Sequence, residues 1–428
     1  LLLHQWNQYL YGIWVLEESL GYLQMKLSLS DNTMKENPIF FNNHLAHTTM
    51  FPLGLKITHA EGIYVIDENG RKYMDMVSGI GVSNLGHGVK YITEAIKTQV
   101  DKHLHVMVYG EYEQSAQSRA GRALCNLLPE QLNCAYFVNS GTEANEAALK
   151  LAKRVTRRSR IVSCKGAYHG STHGSLSVSS NEIKKAAFRP LLPDVYFIRF
   201  GVIEDLELID ENTACLIMET IQGDAGIRIP TAEYMQAVRK RCTEVGAMLI
   251  LDEIQAGMGR TGTMFAFEQY DIVPDILTLG KALGGGMPIG CMVSSQEKMR
   301  ELTYDPQLGH ISTFAGHPVV CASAAACIEY MVENKIVDDV ERKGRYIAER
   351  LRQMPGVIEV RQRGLFFAID MTNADIVSKV VTTCLEKGLI SFWFLSCPSS
   401  FRIAPPLTIT DEEIDQALAI IGEAVGFK

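Results

Sequence analysis

Apolar residues follow two rhythms along this chain. Short continuous runs, CAYFV (134–138), RIVSC (160–164), TACLIME (213–219), AMLILDE (247–253), DILTLG (275–280) and IGCMVS (289–294), read as strands buried on both faces. Between them, TEANEAALKLAKRV (142–155) and TAEYMQAVRKRCTEVG (231–246) repeat apolar residues at helical spacing. Apolar strands alternating with helices predict an α/β fold with a mostly parallel sheet covered by helices on both faces. Residues 50–76 read as short strands with turns. There ITHAEGIYVIDENGRKYMDM (57–76) alternates around Glu68-Asn69-Gly70, the pattern of a hairpin.

Past about residue 325 the rhythm changes. IVDDVERKGRYIAERLRQM (336–354) is a long amphipathic helix, VIEVRQRGLFFAIDM (357–371) two strands with a turn, and DIVSKVVTTCLEKG (375–388) and DEEIDQALAIIGEAV (411–425) two further helices. That predicts a smaller α+β domain. The expected division is an N-terminal segment of helix and short strands (1–70) packing with the small domain, a large domain (71–324) and a small C-terminal domain (325–428).

Composition narrows the classes. The 428 residues are 47% hydrophobic and 21% charged, enough apolar material for a large core. A net charge of -8 argues against a general affinity for nucleic acid. The basic cluster Arg154, Arg157, Arg158 and Arg160 reads as a solvated helix end. Ten scattered cysteines form no C-x-x-C pair and fit free thiols in a reducing, cytoplasmic setting. No run approaches the ~18 apolar residues of a membrane span. The opening LLLHQWNQYLYGIWVLEESLGYLQ (1–24) lacks the basic start of a signal peptide. An amphipathic docking helix or a leader outside the main fold both suit it, and Met25 is an alternative start.

In an open α/β sheet, ligands bind beyond the carboxyl ends of the strands. Four stretches put polar residues there. In NSGTEANEAALK (139–150), Ser140-Gly141-Thr142 opens a helix whose N–H groups suit a phosphate, although Ser140-x-x-Glu143 is also a capping box that needs no ligand. In MLILDEIQAGMGRTG (248–262), Asp252 ends a very apolar strand and needs a partner. Arg260, a helix cap and a cationic ligand nitrogen all qualify. In LTLGKALGGGMPIG (277–290), Lys281 follows a strand and precedes three glycines that leave open space or allow close backbone approach. Partial desolvation there would lower its pKa and make it a nucleophilic amine; snorkelling to water is the alternative. In AYHGSTHGS (167–175), Tyr168 suits stacking on a flat ring, while Gly170 and Gly174 argue against a helix that would pair His169 with His173 as metal ligands. Taken together, a phosphate cup, a stacking aromatic, a strand-end aspartate and a strand-end lysine suit a flat, phosphorylated, cationic aldehyde, which describes pyridoxal phosphate. The glycines fit no dinucleotide or P-loop spacing, so a nicotinamide oxidoreductase is disfavoured.

The same segments, with DENGRKYMDMVSGIGVSNLGH (67–87), ETIQGDAG (219–226), PDILTLGKALGGGMPIG (274–290), STFAGHP (312–318) and RIAPPL (402–407), resemble the class III (ornithine/acetylornithine/ω-amino acid) aminotransferases of PLP fold type I over roughly residues 50–428. The resemblance implies a pyridoxal-phosphate transaminase. Lys281 would carry the cofactor covalently and shuttle a proton, and Asp252 would hold the pyridine nitrogen protonated. Gln255 would contact the phenolic oxygen and Tyr168 stack on the ring, with His169 and Glu219 beside it. Ser140, Gly141 and Thr142 would hold the phosphate. Thr313 would reach the neighbouring subunit's phosphate, which implies a homodimer with shared sites. Arg402 would clamp the α-carboxylate of glutamate or 2-oxoglutarate, with ping-pong kinetics.

Two departures bear on the substrate. Ser171 stands where acetylornithine and ornithine enzymes often carry a carboxylate-binding arginine. Asp224 stands where ornithine-type enzymes carry the glutamate that pairs with the Arg402 counterpart, one methylene longer. An ω-amino or diamine donor is therefore expected. A decarboxylase, racemase or aminomutase of the same fold is the alternative, against which Arg402 argues, and a non-catalytic binding protein is disfavoured by Lys281, Asp252 and Thr313 together.

Overall fold

The computed structural model describes residues 44–46, 48, 49 and 52–426; the stretch 1–24 and Met25 lie outside them. The chain separates into two compact units, one of residues up to His59 with Ile66–Arg71, the other of Ala60–Val65 with Lys72 onward. In the first, the Asp67 carboxylate accepts the N–H groups of Asn69 and Arg71, both at 2.9 Å, and closes the turn expected at Glu68-Asn69-Gly70.

The second unit is built on a seven-stranded sheet in the order Cys134–Val138, Gly290–Ser294, Ile276–Gly280, Met248–Asp252, Thr213–Glu219, Arg160–Cys164, Val195–Ile198. Every pairing from Ile276–Gly280 to Val195–Ile198 is parallel; Gly290–Ser294 runs antiparallel to both its neighbours. The central strands Thr213–Glu219, Met248–Asp252 and Ile276–Gly280 are buried along their whole length, as continuous apolar runs require. Helix Gly141–Thr156 lays Ala144, Ala147, Ala148, Leu151 and Ala152 on the core, and helix Ala232–Val245 does so with Met235, Val238 and Cys242.

A second sheet pairs Glu359–Arg363, Phe366–Asp370, Ser400–Ile403 and Phe392–Trp393, all antiparallel. Helices Val340–Arg352, Ala374–Glu386 and Asp411–Val425 belong to the same C-terminal part. Thr410 and Glu413 form a capping box that starts the last of them.

All ten cysteines are free, seven of them buried. The arginine cluster is more engaged than a solvated helix end. Arg158 donates to the carbonyls of Thr213 and Val245 at 3.1 and 2.9 Å, Arg154 to those of Tyr304 and Asp305, and Arg160 pairs with Asp210 at 2.5 Å. The Arg158 guanidinium thereby satisfies two part-buried carbonyls. Among the described residues, no helix is long and apolar enough to cross a membrane.

One glycine outside any turn fixes the entry to helix Gly141–Thr156. A Cβ on Gly290 would lie 1.9 Å from the Ser140 carbonyl oxygen and 2.4 Å from its carbon. Gly290→Ala must therefore push the strand and the Ser140–Thr142 turn apart. The expected cost is about 1–3 kcal/mol in a urea denaturation curve, together with weaker binding of any ligand at that turn.

Candidate active site

The parallel register sets two carboxylates side by side at one sheet edge, because Glu219 is the cross-strand partner of Asp252. Asp252 is 4% exposed and accepts three hydrogen bonds. Its Oδ2 takes Asn145 Nδ2 at 2.8 Å and His169 Nδ1 at 2.7 Å; its Oδ1 takes the N–H of Ile254 at 3.0 Å. Arg260 is not its partner. That fully buried guanidinium donates to Leu365 and Pro405 carbonyls and to Asn84 Oδ1, and braces the C-terminal part instead.

Asn145 was not legible as a site residue. It lies on the buried face of its helix beside Ala144 and Ala148. Its amide donates to the His169 carbonyl and to Asp252, both at 2.8 Å, and accepts from Thr278 Oγ1 at 2.8 Å. A polar residue inside an alanine stripe was the available signal. Its effect is to tie the loop after Arg160–Cys164 to the ends of two central strands, which leaves the carboxylate of Asp252 little freedom.

Lys281 follows Gly280 directly and has φ 45°, a left-handed conformation that costs a lysine roughly 1–3 kcal/mol. It is half-buried, and its ammonium makes no hydrogen bond or ion pair among the described residues. Burial pushes its pKa down, while Asp252 opposes the shift and Arg402 adds to it. Gly280, Gly141 and Ile254 meet beside it: a Cβ on Gly280 would lie 3.3 Å from Ile254 Cγ2 and 3.4 Å from Gly141 Cα, and one on Gly141 only 2.7 Å from Ile254 Cδ1. The lysine thus starts next to the N-terminus of helix Gly141–Thr156.

At that N-terminus Ser140 Oγ accepts the Glu143 N–H at 3.3 Å, as a cap would. The reciprocal half of the box is missing, because Glu143 turns to the Asn139 N–H at 2.7 Å. The N–H groups of Gly141 and Thr142 come before the first possible intrahelical bonds and keep their donors free for an anion. Thr142 Oγ1 lies 2.8 Å from Thr172 Oγ1.

Two expectations about glycines need correction. His173–Val178 is a helix in spite of Gly174, but it begins at His173 and leaves His169 in the loop before it, so the two histidines share no helix, as expected. The glycine is there because Glu146 caps this helix, accepting the N–H groups of Gly174 and Ser175 at 2.8 and 3.1 Å, and a Cβ would meet that carboxylate at 2.1 Å. Only Gly286 of the run after Lys281 leaves open space. A Cβ on Gly284 would meet Ile289 Cγ2 at 3.1 Å and one on Gly285 would meet Ile92 Cδ1 at 3.0 Å, so these two serve packing.

Around this centre, the Glu219 carboxylate accepts the N–H groups of Tyr168 at 3.2 Å and Gly223 at 2.9 Å. Burial pushes its pKa up to about 7; His169 opposes this and the Asp252 charge adds to it. Tyr168 is 40% exposed, its hydroxyl 3.4 Å from Ser171 Oγ. Gln255 lies against Gly223, where a Cβ would be 2.2 Å from its Oε1. Arg402, 5% exposed, sits 4.3 Å above the Phe394 ring, donates to the Trp393 carbonyl at 3.1 Å and pairs with Asp224 at 3.3 Å. Burial lowers the Arg402 pKa, and Asp224 counters it. Thr313 stands apart: it is exposed, with its carbonyl held by His105 Nε2 at 2.8 Å, and no hydrogen bond joins its hydroxyl to this cluster.

Comparison with known proteins agrees with this arrangement. The family model Aminotransferase class-III matches residues 45–425. Acetylornithine aminotransferase of Methanopyrus kandleri is 36% identical over 384 residues, covering 89% of this chain and 96% of that protein. A [LysW]-aminoadipate semialdehyde/glutamate semialdehyde transaminase of Sulfolobus acidocaldarius is 36% identical over 376 residues, covering 87% and 95%. The crystal structure of ornithine aminotransferase from Toxoplasma gondii ME49 superposes with a TM-score of 0.83 at 28% identity, covering 89% of this chain and 92% of that one. The buried aspartate, the strand-end lysine and the open helix N-terminus accordingly belong to a class III aminotransferase of PLP fold type I, the family of which this chain is a member.

Proposed function

We propose that the protein moves a terminal amino group from an N-acetylornithine/ornithine-like, ω-amino acid or diamine donor to 2-oxoglutarate, in two ping-pong half-reactions. The observation that carries the reading is Lys281, an amine without a hydrogen-bond or ion-pair partner among the described residues, which directly follows the strand paired with that of the buried Asp252 and starts next to the open N-terminus of helix Gly141–Thr156.

Pyridoxal phosphate is the family's cofactor, and the residues present fit it. Asp252 offers a carboxylate, fixed by Asn145 and His169, to the ring nitrogen. The N–H groups of Gly141 and Thr142 offer donors to the phosphate, beside Ser140. The side-chain amide of Gln255 makes no hydrogen bond among the described residues and is free to meet the phenolic oxygen. Lys281 binds the aldehyde carbon, with Tyr168 against the ring and His169 and Glu219 beside it. When bound, the cofactor supplies an electron-withdrawing ring that stabilises negative charge at the substrate carbon.

The rest is done by this chain. Freed of the cofactor by the incoming amine, Lys281 would act as the base, its Nζ taking the proton from the carbon that bears the substrate amine. The depressed pKa keeps more of that amine as free base than an exposed lysine would. Asp252 keeps the ring nitrogen protonated. Arg402 turns from Asp224 to the α-carboxylate of glutamate or 2-oxoglutarate, for which its planar fork is suited. Thr313, exposed on its loop, reaches the phosphate of a second copy, which makes the site a property of a homodimer.

Ser171 decides the donor. Its hydroxyl cannot hold a carboxylate as an arginine would, so a donor is not required to carry one at its far end. In a donor panel with 2-oxoglutarate, diamines and ω-amino acids should be used at least as well as N-acetylornithine, and a clear preference for N-acetylornithine over all of them would overturn this choice. Ser171→Arg should raise kcat/KM for N-acetylornithine by about tenfold, the worth of one charge-assisted hydrogen bond.

A further inference from the structure

The Asp224–Arg402 pair has a third member. Helix Glu182–Lys185 brings Lys184 Nζ to 4.0 Å from Asp224 Oδ2, on the oxygen opposite the one that faces Arg402. The Lys184 side chain is 35% exposed, yet its Nζ is buried and has no hydrogen-bond partner. The segment is anchored to the same carboxylate by a relay: Asn181 Nδ2 donates to Ser396 Oγ at 3.3 Å, and Ser396 Oγ donates to Asp224 Oδ2 at 2.7 Å. The Leu395 N–H completes the set on Oδ1 at 3.1 Å. Asp224 is 7% exposed, so without Arg402 its one near cation among the described residues is Lys184 at 4.0 Å, beyond hydrogen-bond reach, and a carboxylate left there with only neutral hydrogen-bond donors is costly.

We propose that Lys184 is a positioning residue that takes over Asp224 when Arg402 leaves it for a substrate carboxylate. The cation that closes the remaining gap waits on the far oxygen, and the short aspartate side chain keeps one ion pair in both arrangements. Burial lowers the Lys184 pKa, with Asp224 opposing the shift, as expected for a lysine held just out of contact. Lys184 acts through Asp224 and touches no reacting atom.

The proposal rests on Arg402 as the carboxylate clamp, and the test separates the two. Glutarate, a dicarboxylate that cannot react, is titrated calorimetrically into the cofactor-loaded enzyme. Lys184→Met should weaken its binding by roughly ten- to a hundredfold, because Asp224 then retains Arg402. Lys184→Arg should bind it within a few-fold of the unaltered protein. Adding Asp224→Asn to Lys184→Met should restore affinity, since no anion then competes for Arg402. Unchanged glutarate binding in Lys184→Met, or a loss that Asp224→Asn does not restore, overturns the role of Lys184. Unchanged binding in Arg402→Met overturns the clamp itself and the proposal with it.

Discussion

Lys281→Ala should lose roughly 10³–10⁴-fold or more in transamination rate, the worth of a positioned proton-transfer group together with the loss of covalent catalysis. The expectation follows from its surroundings. No hydrogen bond or ion pair among the described residues occupies the ammonium, and burial pushes its pKa down. A left-handed residue directly after a buried strand is also an expensive place to keep a lysine for stability alone. Alanine meets the same φ penalty there, so the substitution should leave the stability of the fold nearly unchanged while activity collapses. Borohydride reduction of the cofactor-loaded protein, followed by peptide mass mapping, gives a second reading: the cofactor's mass should appear on the peptide containing Lys281 and nowhere else. Retention of the label on another lysine, or of activity within tenfold, would remove Lys281 from the centre of the reaction.

The sheet was legible because its strands are buried on both faces and read as unbroken apolar runs, and their ends therefore marked the functional edge. TACLIME and DILTLG turned into Thr213–Glu219 and Ile276–Gly280 almost residue for residue. Glu219 and Asp252 close two of these strands and Lys281 directly follows a third, so the sequence could place them at one sheet edge. What the sequence hid lies in contacts between distant segments. Asn145 meets Asp252 across 107 positions and Ser396 meets Asp224 across 172, and no local pattern encodes such a separation. In NEIKK (181–185) nothing local separates Lys184 from Lys185, whose Nζ is held by the Ser177 and Ser179 carbonyls while that of Lys184 has no hydrogen-bond partner among the described residues.

Glycines misled in a consistent way. Read as open space or as helix breakers, Gly174, Gly284 and Gly285 proved to be places where another group comes too close for a Cβ. A glycine's reason lies in its neighbours, and the sequence names only those on its own segment. Ser140 and Glu143 show the opposite case, in which a local reading was half right. The cap on Glu143 N–H forms, but the glutamate turns outward to Asn139, and the first-turn donors of Gly141 and Thr142 remain open.

Asp252→Asn should cost about 10²–10⁴-fold in kcat while leaving the protein folded. The native carboxylate is 4% exposed and collects three donors, and removing such a group from water is costly unless partners offset it. In the function proposed above the protonated ring nitrogen would be its partner, and breaking such a buried ion pair costs about 3–5 kcal/mol, which is that range of rate at a factor of ten for each ~1.4 kcal/mol. The amide keeps the size of the side chain but has one accepting oxygen: at the Oδ2 position it keeps His169 Nδ1 and Asn145 Nδ2 and sets its NH2 against the Ile254 N–H, and turned the other way it strands both of the former. Asp252→Glu retains the charge and displaces it by one methylene; it should fall between the two in rate and bind the cofactor more tightly than Asp252→Asn. Steady-state kcat and the cofactor dissociation constant, measured across the three proteins, check this ordering. Equal rates for the aspartate and asparagine proteins would mean that the buried charge serves the Asn145–His169 network alone and not the ring.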